Sequence, residues 1–190
     1  PAMISAAAAG SDEALAELGP VQTRRDVRKG LCSIYLTRGD MAGLIKCYDG
    51  EDMSYLERFC AGDPMRMIDV GRHMGGSREV DWLRKCCLDG SAECRDALVA
   101  IASVEDRRNK QLIYALHDVG ADLDAAKLYF DMYGDPALPA VKWLAKVCED
   151  EEAKEYVRSR FEEMGDLRTF DSIFVDDGYR KRDGRGRRPR

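Results

Sequence analysis

The chain has 190 residues, 45% of them hydrophobic and 34% charged, with a formal net charge of −5. That is enough apolar material for one domain or one continuous array, and no apolar run reaches the ~18 residues that a membrane-spanning helix needs. Seven cysteines, an odd number with no Cys-x-x-Cys pair, argue against a disulfide framework and for buried free thiols in a reducing intracellular compartment.

From the start, Ile4 to Ala9 is too short and too weakly apolar for a secretory signal, so residues 1–20 read as an N-terminal segment with a helix over 12–18. Apolar residues then follow helical spacing: Val80, Leu83 and Cys87; Leu112, Ile113, Leu116 and Val119; Leu123, Ala126 and Phe130; Val141, Leu144 and Cys148. No stretch alternates with a period of two. Turn signals stand at Gly62-Asp63-Pro64, Gly75-Gly76-Ser77, Asp89-Gly90-Ser91, Gly120-Ala121-Asp122, Gly134-Asp135-Pro136 and Gly165-Asp166, and with weaker breaks near Glu105 and Glu149 they recur about every 15 residues. Their chemistry suits helix punctuation: Gly closes one helix in the left-handed conformation, the next Asp or Ser caps the following one, and Pro fits the first helical position. The spacing predicts helices over 12–18, 21–37, 41–48, 51–60, 64–74, 77–88, 92–104, 107–118, 122–132, 136–148, 151–164 and 167–175.

One phrase is written three times. Met53-x-Tyr55-Leu56-x-Arg58-x-Cys60 recurs as Val80-x-Trp82-Leu83-x-Lys85-x-Cys87 and as Val141-x-Trp143-Leu144-x-Lys146-x-Cys148, with starts 27 and 61 residues apart. A copy expected near 112 keeps only Leu112-Ile113. A fixed period near 30 marks a repeat array, and short helices joined by two- or three-residue turns fold back antiparallel. The expected fold is therefore all-α: an array of short antiparallel helical hairpins, an α-solenoid, over 21–178, followed by a basic tail over 179–190. In each copy the aromatic residue and the Cys are expected inside, and the Arg or Lys outside with its stem over the apolar seam.

The helix, Gly-Asp turn, helix pattern in Gln111 to Phe130 and Phe161 to Phe170 resembles tetratricopeptide, pentatricopeptide and clathrin-like vesicle-coat repeats. Of these, the clathrin-type hairpin suits the beat near 30 best. The resemblance implies a scaffold or adaptor that holds protein partners in a larger assembly, without cofactor or metal, and it assigns no functional residue.

The end of the chain carries the sharpest charge asymmetry. Arg180, Lys181, Arg182, Arg185, Arg187, Arg188 and Arg190 stand against Asp183 alone, so 180–190 bears +6 and the remaining 179 residues about −11. Guanidinium groups pair bidentately with phosphate or carboxylate, so the tail is expected to contact RNA or an acidic protein surface. A helical-repeat RNA binder, whose body itself reads bases, is one alternative. An enzyme is another: Ala115-Leu116-His117-Asp118-Val119-Gly120 is similar to the central motif of HD-domain phosphohydrolases, which adds His73 and one of Asp150, Asp171 or Asp176 as metal ligands, with Ala121 where Lys often stands. Cys86, Cys87, Cys94 and His73 are a further candidate metal set, although adjacent Cys86 and Cys87 diverge by about 100° on a helix. Arg38-Gly39-Asp40 matches an adhesion tripeptide and reads as a helix end with a cap. Asp118, Asp122 and Asp124 lack the Gly and Glu spacing of a calcium loop.

Overall fold

A computed structural model describes residues 2–18, 25–48, 53–134 and 138–172, and side chains throughout these except at 138–142. Among the described residues all regular structure is helical and none is a strand. No helix among them is long and apolar enough to cross a membrane. The chain divides into two compact units, Pro1–Cys94 and Arg95–Arg190.

The first unit contains α1 (Ala2–Ala8), α2 (Asp12–Leu18), α3 (Arg25–Arg38), α4 (Met41–Cys47), α5 (Ser54–Cys60), α6 (Pro64–Met74) and α7 (Gly76–Leu88). Helix α8 (Ala92–Ala102) begins in it and ends in the second unit. The second unit continues with a 3-10 turn (Glu105–Arg107), α9 (Lys110–Asp118), α10 (Asp122–Tyr133), α11 (Leu138–Val147), α12 (Glu151–Glu163) and α13, the helical residues 167–172.

The sequence expectation misses α1. An Ala-rich stretch shows no apolar stripe, yet Ala7 is fully buried, and Ile4 lies so close to Gly30 that a Cβ there would meet its side chain at 3.1 Å. The expected helix over 107–118 begins only at Lys110. Arg108 is extended, and Asn109 accepts from Leu112 N at 3.0 Å as the cap.

One turn recurs. At Gly10, Gly39, Gly90, Gly120 and Gly165 the glycine has positive φ. Its N–H bonds the carbonyl three residues back, and the next N–H bonds the carbonyl five back: Gly39 N to Leu36 O at 3.2 Å and Asp40 N to Tyr35 O at 2.9 Å set the pattern. This double closure satisfies carbonyls that a helix end leaves open, and a Cβ in that conformation is strained. The following residue caps the next helix in four of the five: Ser11 toward Ala14 N, Asp40 toward Gly43 N, Ser91 toward Cys94 N and Asp166 toward Thr169 N. At the fifth, buried Ala121 has no side chain to do so. The α5–α6 connection closes differently, with left-handed Ala61 before Gly62 and Asp63 capping α6 at Met65 N and Arg66 N.

The main packing partners are neighbours or next-but-one neighbours in the chain. In the first unit α1 packs on α2 and α3, α3 on α4 and α5, α4 on α5 and α6, and α6 on α5 and α7. In the second, α10 packs on α9, α11 and α12, and α11 on α12. The first core is built on Leu31, Leu44, Leu56, Val70, Trp82 and Leu83; the second on Leu112, Leu116, Leu128, Leu144, Val157 and Phe161. The tripled phrase covers the whole of α5 and the C-terminal parts of α7 and α11. Leu56, Leu83 and Leu144 are buried in all three copies, as are Cys60 and Cys148. In the second copy the inward thiol belongs to Cys86, and Cys87 is half-buried, because α7 presents the preceding residue to the core. Trp82 is fully buried and donates Nε1–H to Met67 O at 2.7 Å, whereas Tyr55 and Trp143 are half-buried.

Candidate functional site

The expected binding residues Arg180, Lys181, Arg182, Arg185, Arg187, Arg188 and Arg190 lie outside the described residues. Within them, two surfaces stand out, one on each unit.

On the first unit a cavity of about 450 Å³ is lined by Tyr48, Met53, Arg78, Asp81, Arg84, Lys85 and Leu88. Arg78, Asp81, Lys85 and Leu88 are spaced i, i+3, i+7, i+10, one stripe along α7 opposite the buried Val80, Leu83 and Cys86. The end of α4 and the start of α5 supply Tyr48 and Met53. Arg78 donates to the carbonyls of Ile45 at 3.1 Å and Tyr48 at 3.4 Å, at the negative end of α4, and its guanidinium lies 5.3 Å over the Tyr48 ring. Lys85 Nζ meets Glu57 Oε1 at 3.0 Å, which keeps its charge at the groove's edge. Leu88 is 59% exposed. Tyr48, Met53 and Leu88 beside three cations and the single anion Asp81 can receive a mixed apolar and acidic segment.

On the second unit aromatic side chains from α9, α10 and α11 meet. Tyr129 stacks on Trp143 with centroids 5.4 Å apart, Tyr114 and His117 present edges to Trp143 at 6.2 Å, and Tyr133 lies 5.2 Å from Tyr129. Tyr114 and Tyr133 are exposed, and Lys110 Nζ sits 5.6 Å from the Tyr114 centroid. Trp143 Nε1 is buried and has no hydrogen-bond partner among the described residues.

His117 donates Nδ1–H to Asp122 Oδ1 at 2.5 Å, across the turn where Ala121 replaces a capping side chain. His73, in the other unit, is exposed and donates Nδ1–H to Asp69 O at 2.8 Å, within its own helix. Asp150 caps α12 at Ala153 N, Asp171 is exposed, and Asp176 lies outside the described residues. Among the described residues no three His, Cys, Asp or Glu side chains are grouped to hold a metal, including the set Cys86, Cys87, Cys94 and His73. In the Arg38-Gly39-Asp40 tripeptide, Asp40 caps α4 while Arg38 reaches Asp12 Oδ1 and Ala7 O.

The groove escapes sequence reasoning because its α7 stripe looks like an ordinary solvated face until Tyr48 and Met53 are placed beside it. The aromatic group is hidden for the same reason, its rings being spread over 114–143; the one local signal is Tyr129 and Tyr133, one turn apart. Compared with known proteins, the chain matches no family model, no curated protein and no solved structure.

Proposed function

We propose that this protein is a non-enzymatic α-solenoid scaffold or adaptor. Its helical hairpins stack as an array and hold protein partners in a larger complex, in a reducing intracellular compartment. The observation that carries the reading is the recurrence of one Gly-closed, side-chain-capped turn between short helices that pack mainly on their chain neighbours. A helix this short is marginal alone, and stacking is what such a module is built for. Seven cysteines, none in a disulfide and six of them buried, support the compartment. The groove of Met53, Arg78, Lys85 and Leu88 is the contact surface for a partner segment carrying acidic and apolar side chains. The Arg-rich tail contacts RNA or an acidic protein surface. RNA contact is assigned to the tail because the remaining 179 residues carry about −11 and repel phosphate.

The test is affinity capture of the intact protein under reducing conditions, quantified by mass spectrometry against the Leu88→Asp variant. Leu88 is exposed, so the variant keeps the wild-type helical spectrum. A partner set that falls at least several-fold with Leu88→Asp supports the reading. Capture of nothing above background, or of the same set at the same level, refutes the groove as the contact surface.

A further inference from the structure

We propose that the segment Ile173 to Asp177 of one copy of this chain docks into the α7 groove of a second copy, so that copies join head to tail. The inference rests on the groove being the contact surface proposed above, and it names the partner.

The groove asks for a particular chemistry. Its lining sets Tyr48, Met53 and Leu88 beside Arg78, Arg84 and Lys85, with Asp81 as the one acid. Leu88, at the last residue of α7, is large, apolar and 59% exposed. Arg78 is fixed by neutral groups, the carbonyls of Ile45 and Tyr48, so its positive charge is held at the groove. An occupant must therefore bring apolar side chains for Leu88 and carboxylates for the cations.

One stretch of this chain carries that complement. Ile173-Phe174-Val175-Asp176-Asp177 directly follows α13 and lies outside the described residues. Three bulky apolar side chains are followed at once by two acids. No other stretch outside the described residues joins the two in this way: 19–24 has no acid, and 49–52 has no apolar side chain. The lengths also agree. Arg78 to Leu88 covers about 15 Å of helix, and five extended residues cover about 17 Å. Ile173 and Phe174 then cover Leu88, while Asp176 and Asp177 reach Arg78, whose guanidinium takes a carboxylate with two bonds. The basic residues from Arg180 onward share the groove's sign and do not compete for it.

The groove that is filled belongs to another copy. The segment starts at the end of α13, which Phe170 ties to Phe161 of α12 with ring centroids 6.0 Å apart. Only about 7 Å of chain leads from Ser172 to Phe174. In the array proposed above, that end and α7 belong to different hairpins. Each copy offers one groove and one segment on different elements, so the contact is heterologous and copies add in one direction.

The experiment follows the full, reduced, nuclease-treated chain by sedimentation velocity over a rising concentration series. The expected average mass climbs past that of a dimer and falls back as salt is raised. Leu88→Asp and Phe174→Asp, made in separate chains and checked by circular dichroism, are each expected to stay monomeric. Mixed, they are expected to form a one-to-one dimer, because one keeps the segment and the other keeps the groove. A labelled peptide of residues 172–179 is expected to bind the Phe174→Asp chain. It should bind at least tenfold more weakly when that chain also carries Leu88→Asp, or when the peptide carries Asp176→Lys and Asp177→Lys. A wild-type chain that is monomeric at every concentration overturns the proposal. So does association that persists in Phe174→Asp, which would place the contact elsewhere. Peptide binding to a chain whose wild type stays monomeric means that the segment closes on its own chain, and it overturns the second copy. A peptide that does not bind, while Leu88→Asp still loses its captured partners, removes this inference and leaves the groove. If Leu88→Asp changes neither, both readings fall.

Discussion

Gly43 lies inside α4 against the Tyr35 ring, where an added Cβ would meet ring carbons at 2.3 to 2.6 Å. The ring root is among those atoms, so the clash cannot be relieved at a flexible tip. Gly43→Ala is expected to lower stability by about 1–3 kcal/mol in urea unfolding. Combining it with Tyr35→Ala should recover part of that loss, and strict additivity would show that the contact is not the cause. Buried thiols make a second residue-scale prediction. Burial raises Cys60 and Cys148 from 9.0 to about 11. The unfolded chain therefore releases these protons at lower pH than the folded one. Their contribution is fully present below about pH 9 and is lost as pH rises to about 11. The urea midpoint of the reduced protein is expected to fall across that window, more steeply in wild type than in Cys60→Ala/Cys148→Ala; equal slopes would contradict it. At this scale the sequence was legible where one residue does one local job. Asp63 before Pro64 reads as a cap and is one. Ala7 and Ile4 were not legible, because α1 packs on α2 and α3 and Ile4 lies against Gly30 of α3.

Among elements, the decisive unit is the turn. Asp40 and Asp150 cap α4 and α12 through Gly43 N at 2.9 Å and Ala153 N at 2.8 Å. Replacing either with Ala is expected to cost about 1 kcal/mol, and Gly120→Ala, at φ +72, about as much. Ala121→Gly removes no cap and is expected to cost clearly less than Asp40→Ala; thermal unfolding of the four variants checks the order. Helix positions follow from local punctuation, which is why α2, α4, α6, α7, α10 and α12 fall within a residue or two of their expected bounds. The repeated phrase falls on α5, α7 and α11, and its Leu is buried in all three. It could not show that α7 turns Cys86 inward in place of Cys87, since a shift of one residue changes the facing direction without changing the composition. The groove and the aromatic group were illegible because each joins side chains from separate helices.

For the whole molecule, charge separates the tail from the body. Removing 180–190 is expected to abolish most binding to a single-stranded RNA probe and flatten its dependence on salt, because several basic residues no longer release counterions. Unchanged affinity and slope would remove the tail from the account. The proposed stacking of hairpins has a signature that tests it, since an array gains stability with each unit added, whereas a closed globule folds only when complete. The direct measurement is a truncation series ending at 75, 104, 134 and 179, each chain followed by far-ultraviolet circular dichroism and urea unfolding. The array predicts helical, cooperatively unfolding chains from 104 onward, with the midpoint rising at each added hairpin. Coil spectra for every fragment shorter than 179 would contradict it.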